Sequence, residues 1–121
     1  MARVLIVEDD ELVRSMLKTT LEREGYEVME ASDGEKGIRL MKKNPAHLVI
    51  TDIIMPDKEG IETIIELKRI FPGIKIVAIS GGGRIGPETY LDMAEKFGAM
   101  RTFVKPIDRK ELLKAVKELI G

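Results

Sequence analysis

Short runs rich in β-branched residues alternate with helical patterns along the whole chain, and this alternation constrains the fold more than any other feature. The runs are RVLIV (3–7), YEVME (26–30), HLVIT (47–51), IKIVAI (74–79) and TFV (102–104). The first, third and fourth are almost wholly apolar, as strands covered on both faces have to be. YEVME is more polar and suits a sheet edge. Between the runs lie helices with readable ends. Residues 11–24 place Leu12, Val13, Met16, Leu17 and Leu21 on one face, and Gly25 stops them. Ser32 and Glu35 offer a capping box for a second helix, with Pro45 beyond its end. Residues 60–70 carry Ile61, Ile64, Ile65 and Leu67. Pro87 can open a fourth helix with Tyr90, Leu91, Ala94 and Phe97 turned inward. Asp108 and Glu111 cap a fifth, whose apolar residues are Leu112, Leu113, Val116, Leu119 and Ile120.

Repeated strand–helix units with short connections predict an α/β fold, a doubly wound parallel sheet of five strands flanked by five helices, because each crossover is right-handed. The 121 residues suffice for one domain, expected to span 1–121 with no output domain. Twenty basic residues against 21 acidic ones leave a net charge of −1, which lends no support to nucleic-acid binding. The absence of cysteine rules out disulfides, thiolate metal sites and thiol nucleophiles. No apolar stretch approaches membrane-spanning length, and the opening apolar run is too short for a signal peptide. The expectation is a cytoplasmic domain with no membrane partner.

In a sheet of this kind the site lies beyond the carboxyl ends of the strands, where the strand order switches. The first strand leaves Glu8, Asp9 and Asp10 there; the third leaves Asp52; the fourth leaves Ser80; the fifth leaves Lys105 and Pro106. Carboxylates brought together in this way repel one another and call for a shared proton or a cation. Oxygen ligands without His or Cys favour Mg²⁺. A lysine and a hydroxyl at neighbouring strand ends suit a phosphoryl group on Asp52, supplying one charge and one hydrogen-bond donor. Each piece also has an ordinary reading: Asp10 as a helix cap, Lys105 as a surface lysine, Ser80 as a turn residue. Their joint placement at four strand ends is what favours the chemical one.

VLIVEDDELVR, LVITDIIMPDKEGIE, IVAISGG and TFVKPID together resemble the receiver domain of bacterial response regulators, the two-component signalling module, over essentially the whole chain. The resemblance implies the flavodoxin-like strand order 2-1-3-4-5, as in the chemotaxis receiver. It implies Asp52 as phosphoacceptor, and Mg²⁺ held by Asp9, Asp52 and the backbone carbonyl of Ile54, with Glu8 acting through water. Glu8 and Asp9 are preferred as the acidic pair over Asp9 and Asp10 because they directly follow the last valine of the strand. Ser80 would turn toward the phosphoryl group, Lys105 would neutralise it, and the Lys105–Pro106 bond would be cis. The implied function is a stand-alone receiver in a phosphorelay. It would accept a phosphoryl group from a sensor histidine kinase or a phosphotransfer protein, lose it by hydrolysis, and signal through contacts with a downstream protein target. The implied docking surfaces are the first helix, for the donor, and the face formed by the fourth helix, fifth strand and fifth helix. Two features depart from the family pattern. Thr102 stands where an aromatic switch residue is usual, with Phe103 after it, and the stretch from Ser80 to Gly98 is about three residues long in excess.

Rival readings are weaker. A haloacid-type aspartyl phosphatase needs a second acid two residues after its nucleophile, where this chain has Ile54. A small flavin or dinucleotide binder would rest on Gly81-x-Gly83-x-x-Gly86, but that fingerprint belongs to the first strand–helix turn, not the fourth. A receiver-like interaction module that works without phosphorylation leaves the assembled charges unexplained. The glycines are instead expected to form a mobile loop over 81–86 that orders when a phosphoryl group occupies Asp52. His47, the single histidine, is expected at a core or rim position, and the methionines as core filler.

Overall fold

The computed structural model describes residues 2–53, 59–81 and 87–121, with 59 and 87–91 described by their backbone. Strands β1 (Arg3–Val7), β2 (Glu27–Ala31), β3 (Leu48–Asp52), β4 (Lys75–Ser80) and β5 (Arg101–Val104) alternate with helices α1 (Glu11–Arg23), α2 (Gly34–Lys43), α3 (Glu59–Ile70), α4 (Pro87–Lys96) and α5 (Arg109–Ile120). All the strands pair in parallel, in the order β2-β1-β3-β4-β5. The polar β2 is at one edge and the four-residue β5 at the other. The apolar β1, β3 and β4 lie inside, as their composition requires.

Because successive side chains of a strand point to opposite faces, the central strands divide into two cores. Leu5, Val7, Val49, Ile76 and Ala78 face α2, α3 and α4, where Ile38, Met41, Ile64, Leu67 and Ala94 meet them. Val4, Ile6, Leu48, Ile50, Val77 and Ile79 face α1 and α5, closed by Leu17, Leu21, Leu112 and Val116. Each such buried valine, leucine, isoleucine or methionine contributes about 1.5–3 kcal/mol over its exposed state.

The structure corrects several details. β2, β3 and β4 each begin and end one residue later than the apolar runs indicate, and β5 begins one earlier. For β3 and β4 the shift follows from pairing across the sheet. Asp52 is drawn into register with Ile79, and Ser80 with Val104, so both are the last paired residues of their strands. The N-cap of α2 is Asp33, not Ser32, and its Oδ1 accepts the Lys36 N–H at 2.8 Å. Leu12 is 82% exposed, and Ile65 and Phe97 are 43% and 44% exposed, so these three do not belong to the inward faces assigned to them. Each has the helical spacing of its neighbours but falls at the margin of the buried stripe. Tyr90 and Leu91 lie outside the described side chains. Among the methionines, Met41 is core, whereas Met93 and Met100 are exposed. His47 is at the rim, where its Nδ1 accepts the Arg3 N–H at 2.9 Å.

Candidate functional site

The carboxyl ends of β1 and β3 are adjacent because those strands pair directly, with Val7 opposite Thr51. Glu8 therefore emerges beside Asp52. Glu8 is fully buried and Asp52 is 3% exposed, while Asp9 stands at the surface. Carboxylate oxygens of the three residues lie within 4.8 Å of one another. The β1–α1 turn keeps them there: the Glu8 N–H bonds to the Ala31 carbonyl at 3.0 Å, and Glu8 Oε2 accepts the Asp10 N–H at 3.1 Å. Asp10 itself is the N-cap of α1, with Oδ1 accepting the N–H groups of Leu12 and Val13. Its Oδ1 thus serves the helix, while Glu8 and Asp9 are the acids of the turn whose oxygens gather with those of Asp52.

Lys105 reaches in from the end of β5. Its Nζ is 2.7 Å from Glu8 Oε1 and 2.9 Å from Asp52 Oδ2, so one ammonium bridges the two buried carboxylates. The Lys105 N–H bonds to the Ser80 carbonyl at 2.9 Å, which anchors the base of the side chain, and the Lys105–Pro106 bond is cis. Burial pushes the Glu8 carboxyl up from 4.5 to about 8, the Lys105 hydrogen bond opposing this and the Asp52 charge adding to it. Burial pulls Lys105 down, but the two carboxylates outweigh it and its net shift is upward. Ser80 is fully buried, and its Oγ has no hydrogen-bond partner among the described residues. A buried hydroxyl without a partner costs about 1–3 kcal/mol, a cost relieved by any acceptor oxygen arriving beside it.

Two glycines make the arrangement possible. Gly60, at the start of α3, lies so close to the backbone of Ile53 that a side chain there would collide with it, and this contact seats α3 against the end of β3. Gly81 lies under the stem of Lys105, where a Cβ would come within 2.6 Å of Lys105 Cδ. Gly81 thus serves the lysine, and the turn in the dinucleotide-binding position, after β1, carries acids unsuited to a pyrophosphate. Gly83 and Gly86, most of the 81–86 loop, and Ile54 with its carbonyl lie outside the described residues. Thr102 is on β5, half-buried, with Oγ1 3.5 Å from Glu95 Oε1 on α4.

The donors fit Mg²⁺: three carboxylates converge, no nitrogen or sulfur ligand is among them, and a cationic side chain already offsets their charge. Sequence reasoning missed Arg14 and Glu30. Arg14 Nη1 donates to the Glu8 carbonyl at 2.8 Å while Nε faces Glu30 Oε1 at 3.5 Å. The only sequence signal is an arginine one turn into the helix that follows the acids.

Comparison with known proteins agrees with this fold. The family model described as "response regulator receiver domain" matches residues 4–117. The chemotaxis protein CheY of Thermotoga maritima is 35% identical, with 97% of this chain and 96% of that protein covered. The transcriptional regulatory protein PdtaR of Mycobacterium tuberculosis H37Rv is 36% identical over 95% of this chain, which spans 55% of PdtaR. The chain spans only 24% of another relative, the DNA-binding transcriptional regulator NtrC of Azospirillum brasilense, at 32% identity. A crystal structure of a CheY-like receiver domain protein from Methanospirillum hungatei superposes with a TM-score of 0.88 at 30% identity, covering 98% of this chain and 92% of that one. Among the described residues no helix is long and apolar enough to cross a membrane.

Proposed function

The chain belongs to the response regulator receiver domain family of two-component signalling, and on that premise we propose that Asp52 is its phosphoacceptor, loaded from a phosphohistidine of a sensor kinase or phosphotransfer protein. The observation that carries this reading is the single ammonium of Lys105 bridging Glu8 and Asp52 at 2.7 and 2.9 Å in a buried pocket. A carboxylate oxygen of Asp52 attacks phosphorus, the P–N bond breaks, and the electron pair leaves with the imidazole nitrogen. An acyl phosphate results, and water later hydrolyses it.

Little covalent chemistry falls to the protein; the work is positioning and charge neutralisation. Asp52 is held in line as the last paired residue of β3. The Lys105 ammonium moves from the carboxylate to an oxygen of the incoming phosphoryl group, and the Ser80 hydroxyl, unpartnered among the described residues, donates to another. Asp9 and Asp52, with the carbonyl of Ile54, would hold Mg²⁺, Glu8 acting through water, and the ion when bound would supply the remaining positive charge. The readout is a protein–protein contact with a downstream target. Working as a stand-alone receiver is part of this proposal.

The test is mass spectrometry after incubation with Mg²⁺ and a small phosphodonor. Wild type should gain one phosphoryl group and Asp52→Asn none. Label persisting on Asp52→Asn, or uptake indifferent to a chelator, would overturn the assignment. No uptake at all from donors or kinases would point to a phosphorylation-independent interaction module.

A further inference from the structure

Arg14 points from the first turn of α1 back over the end of β1. Its Nη1 donates to the Glu8 carbonyl oxygen at 2.8 Å, and its Nε lies 3.5 Å from Glu30 Oε1 on β2. Glu30 is held in turn by Lys18, whose Nζ is 3.2 Å from Oε2. The Arg14 side chain is 19% exposed, so this is a packed contact and not a surface pairing. The carbonyl it holds belongs to the peptide unit that joins Glu8 to Asp9. That unit is planar, so fixing its oxygen fixes the plane and with it the direction in which the chain leaves toward Asp9. The Asp9 carboxylate has no hydrogen bond of its own among the described residues, and its aim depends on that backbone.

We propose that Arg14, clamped by Glu30, is a positioning residue that sets the Glu8–Asp9 peptide plane and thereby aims the Asp9 carboxylate into the cation site. This rests on the reading of the acid cluster as a Mg²⁺ site. The guanidinium suits the task because its planar fork presents Nη1 to the carbonyl and Nε to the carboxylate at once, which the single nitrogen of lysine cannot do. Because what Nη1 holds is a neutral carbonyl oxygen and not a charge, the contribution of Arg14 is geometric, and a retained positive charge at position 14 does not replace it.

The experiment is calorimetric Mg²⁺ titration of the folded, unphosphorylated protein at 25 °C, with thermal stability measured separately. Wild type, Arg14→Gln, Arg14→Lys and Glu30→Gln are compared. Arg14→Gln and Arg14→Lys should each weaken Mg²⁺ binding roughly tenfold, the size of effect typical of groups that orient a metal ligand, and Glu30→Gln should weaken it by a smaller factor. Should Arg14→Gln fail to fold, Arg14→Lys and Glu30→Gln carry the comparison. A lower melting temperature with wild-type Mg²⁺ affinity would make Arg14 merely structural and overturn the proposal. Wild-type affinity in Arg14→Lys would assign the effect to charge and overturn it equally. Wild type that binds no Mg²⁺ would remove the cation-site reading itself, a result distinct from variants that match a binding wild type.

Discussion

Gly81 lies directly beneath the side chain of Lys105, with room for a hydrogen and none for a methyl group: a Cβ would come within 2.6 Å of Cδ and 3.1 Å of Cβ of the lysine. The lysine's backbone is held by Ser80, the residue before Gly81, so the stem cannot retreat as a whole. What must shift is the ammonium end, away from Glu8 and Asp52.

Gly81→Ala should therefore misplace the ammonium that, on the proposed reading, meets an oxygen of the phosphoryl group. Phosphoryl uptake from a small donor should slow by roughly ten- to a hundredfold, the scale expected of a displacement near 1 Å. Melting temperature in metal-free buffer should fall as well, since moving the ammonium away from Glu8 and Asp52 weakens a buried ion pair. Time courses of phosphorylation followed by mass spectrometry decide it; an unaltered rate would mean that the stem repacks freely.

Lys105→Met should leave two buried carboxylates facing each other without a counter-charge. In metal-free buffer near pH 9 the loss should be about 3 kcal/mol, in line with removing one partner of a buried ion pair. Asp52→Asn added to it should recover part of that loss, and Mg²⁺ should recover more of it in the single variant than in the double. Denaturant midpoints measured on the four proteins test this, and strict additivity would argue against a shared site.

The raised Glu8 carboxyl makes metal-free stability depend on pH. Between about 4.5 and about 8 the unfolded chain has released the Glu8 proton while the folded one still holds it. The folded state then binds more protons, so stability falls as pH rises through that window, by at most about 1.4 kcal/mol per pH unit, and levels off above it. Glu8→Gln should flatten the profile. Urea unfolding across pH 4–9 in the presence of a chelator is the measurement, and a slope unchanged in Glu8→Gln would assign the dependence to other groups.

Asp10 and Asp9 are neighbours with different duties. Asp10→Ala removes the cap of α1 and should cost about 1 kcal/mol of stability, leaving the Mg²⁺ response as in wild type. Asp9→Ala should do the reverse, abolishing the Mg²⁺ response at little cost to the metal-free fold. Thermal melts with and without Mg²⁺ separate the two, and a lost Mg²⁺ response in Asp10→Ala would move the acidic pair one residue along the chain.

The order of elements follows from local properties that a sequence carries openly. Almost wholly apolar runs such as RVLIV and HLVIT have to be covered on both faces, and Gly25 and Asp108 mark helix ends by backbone and side-chain chemistry that acts within a few residues. The strand ends bearing Glu8, Asp9, Asp52, Ser80 and Lys105 were legible for the same reason. Which residues touch was not. The choice of Asp33 over Ser32 as a cap, and the exposure of Leu12, depend on how each helix is rotated against the sheet, and neighbouring positions in the chain look alike until that rotation is set. The ammonium of Lys105 between Glu8 and Asp52, the absent methyl at Gly81 and the hold of Arg14 on the Glu8 carbonyl join residues brought together by parallel pairing or helix packing. A strand's own sequence determines that it pairs and which side is apolar. Only the packed sheet decides what stands beside its end, because that depends on the register and order of strands far apart in the chain.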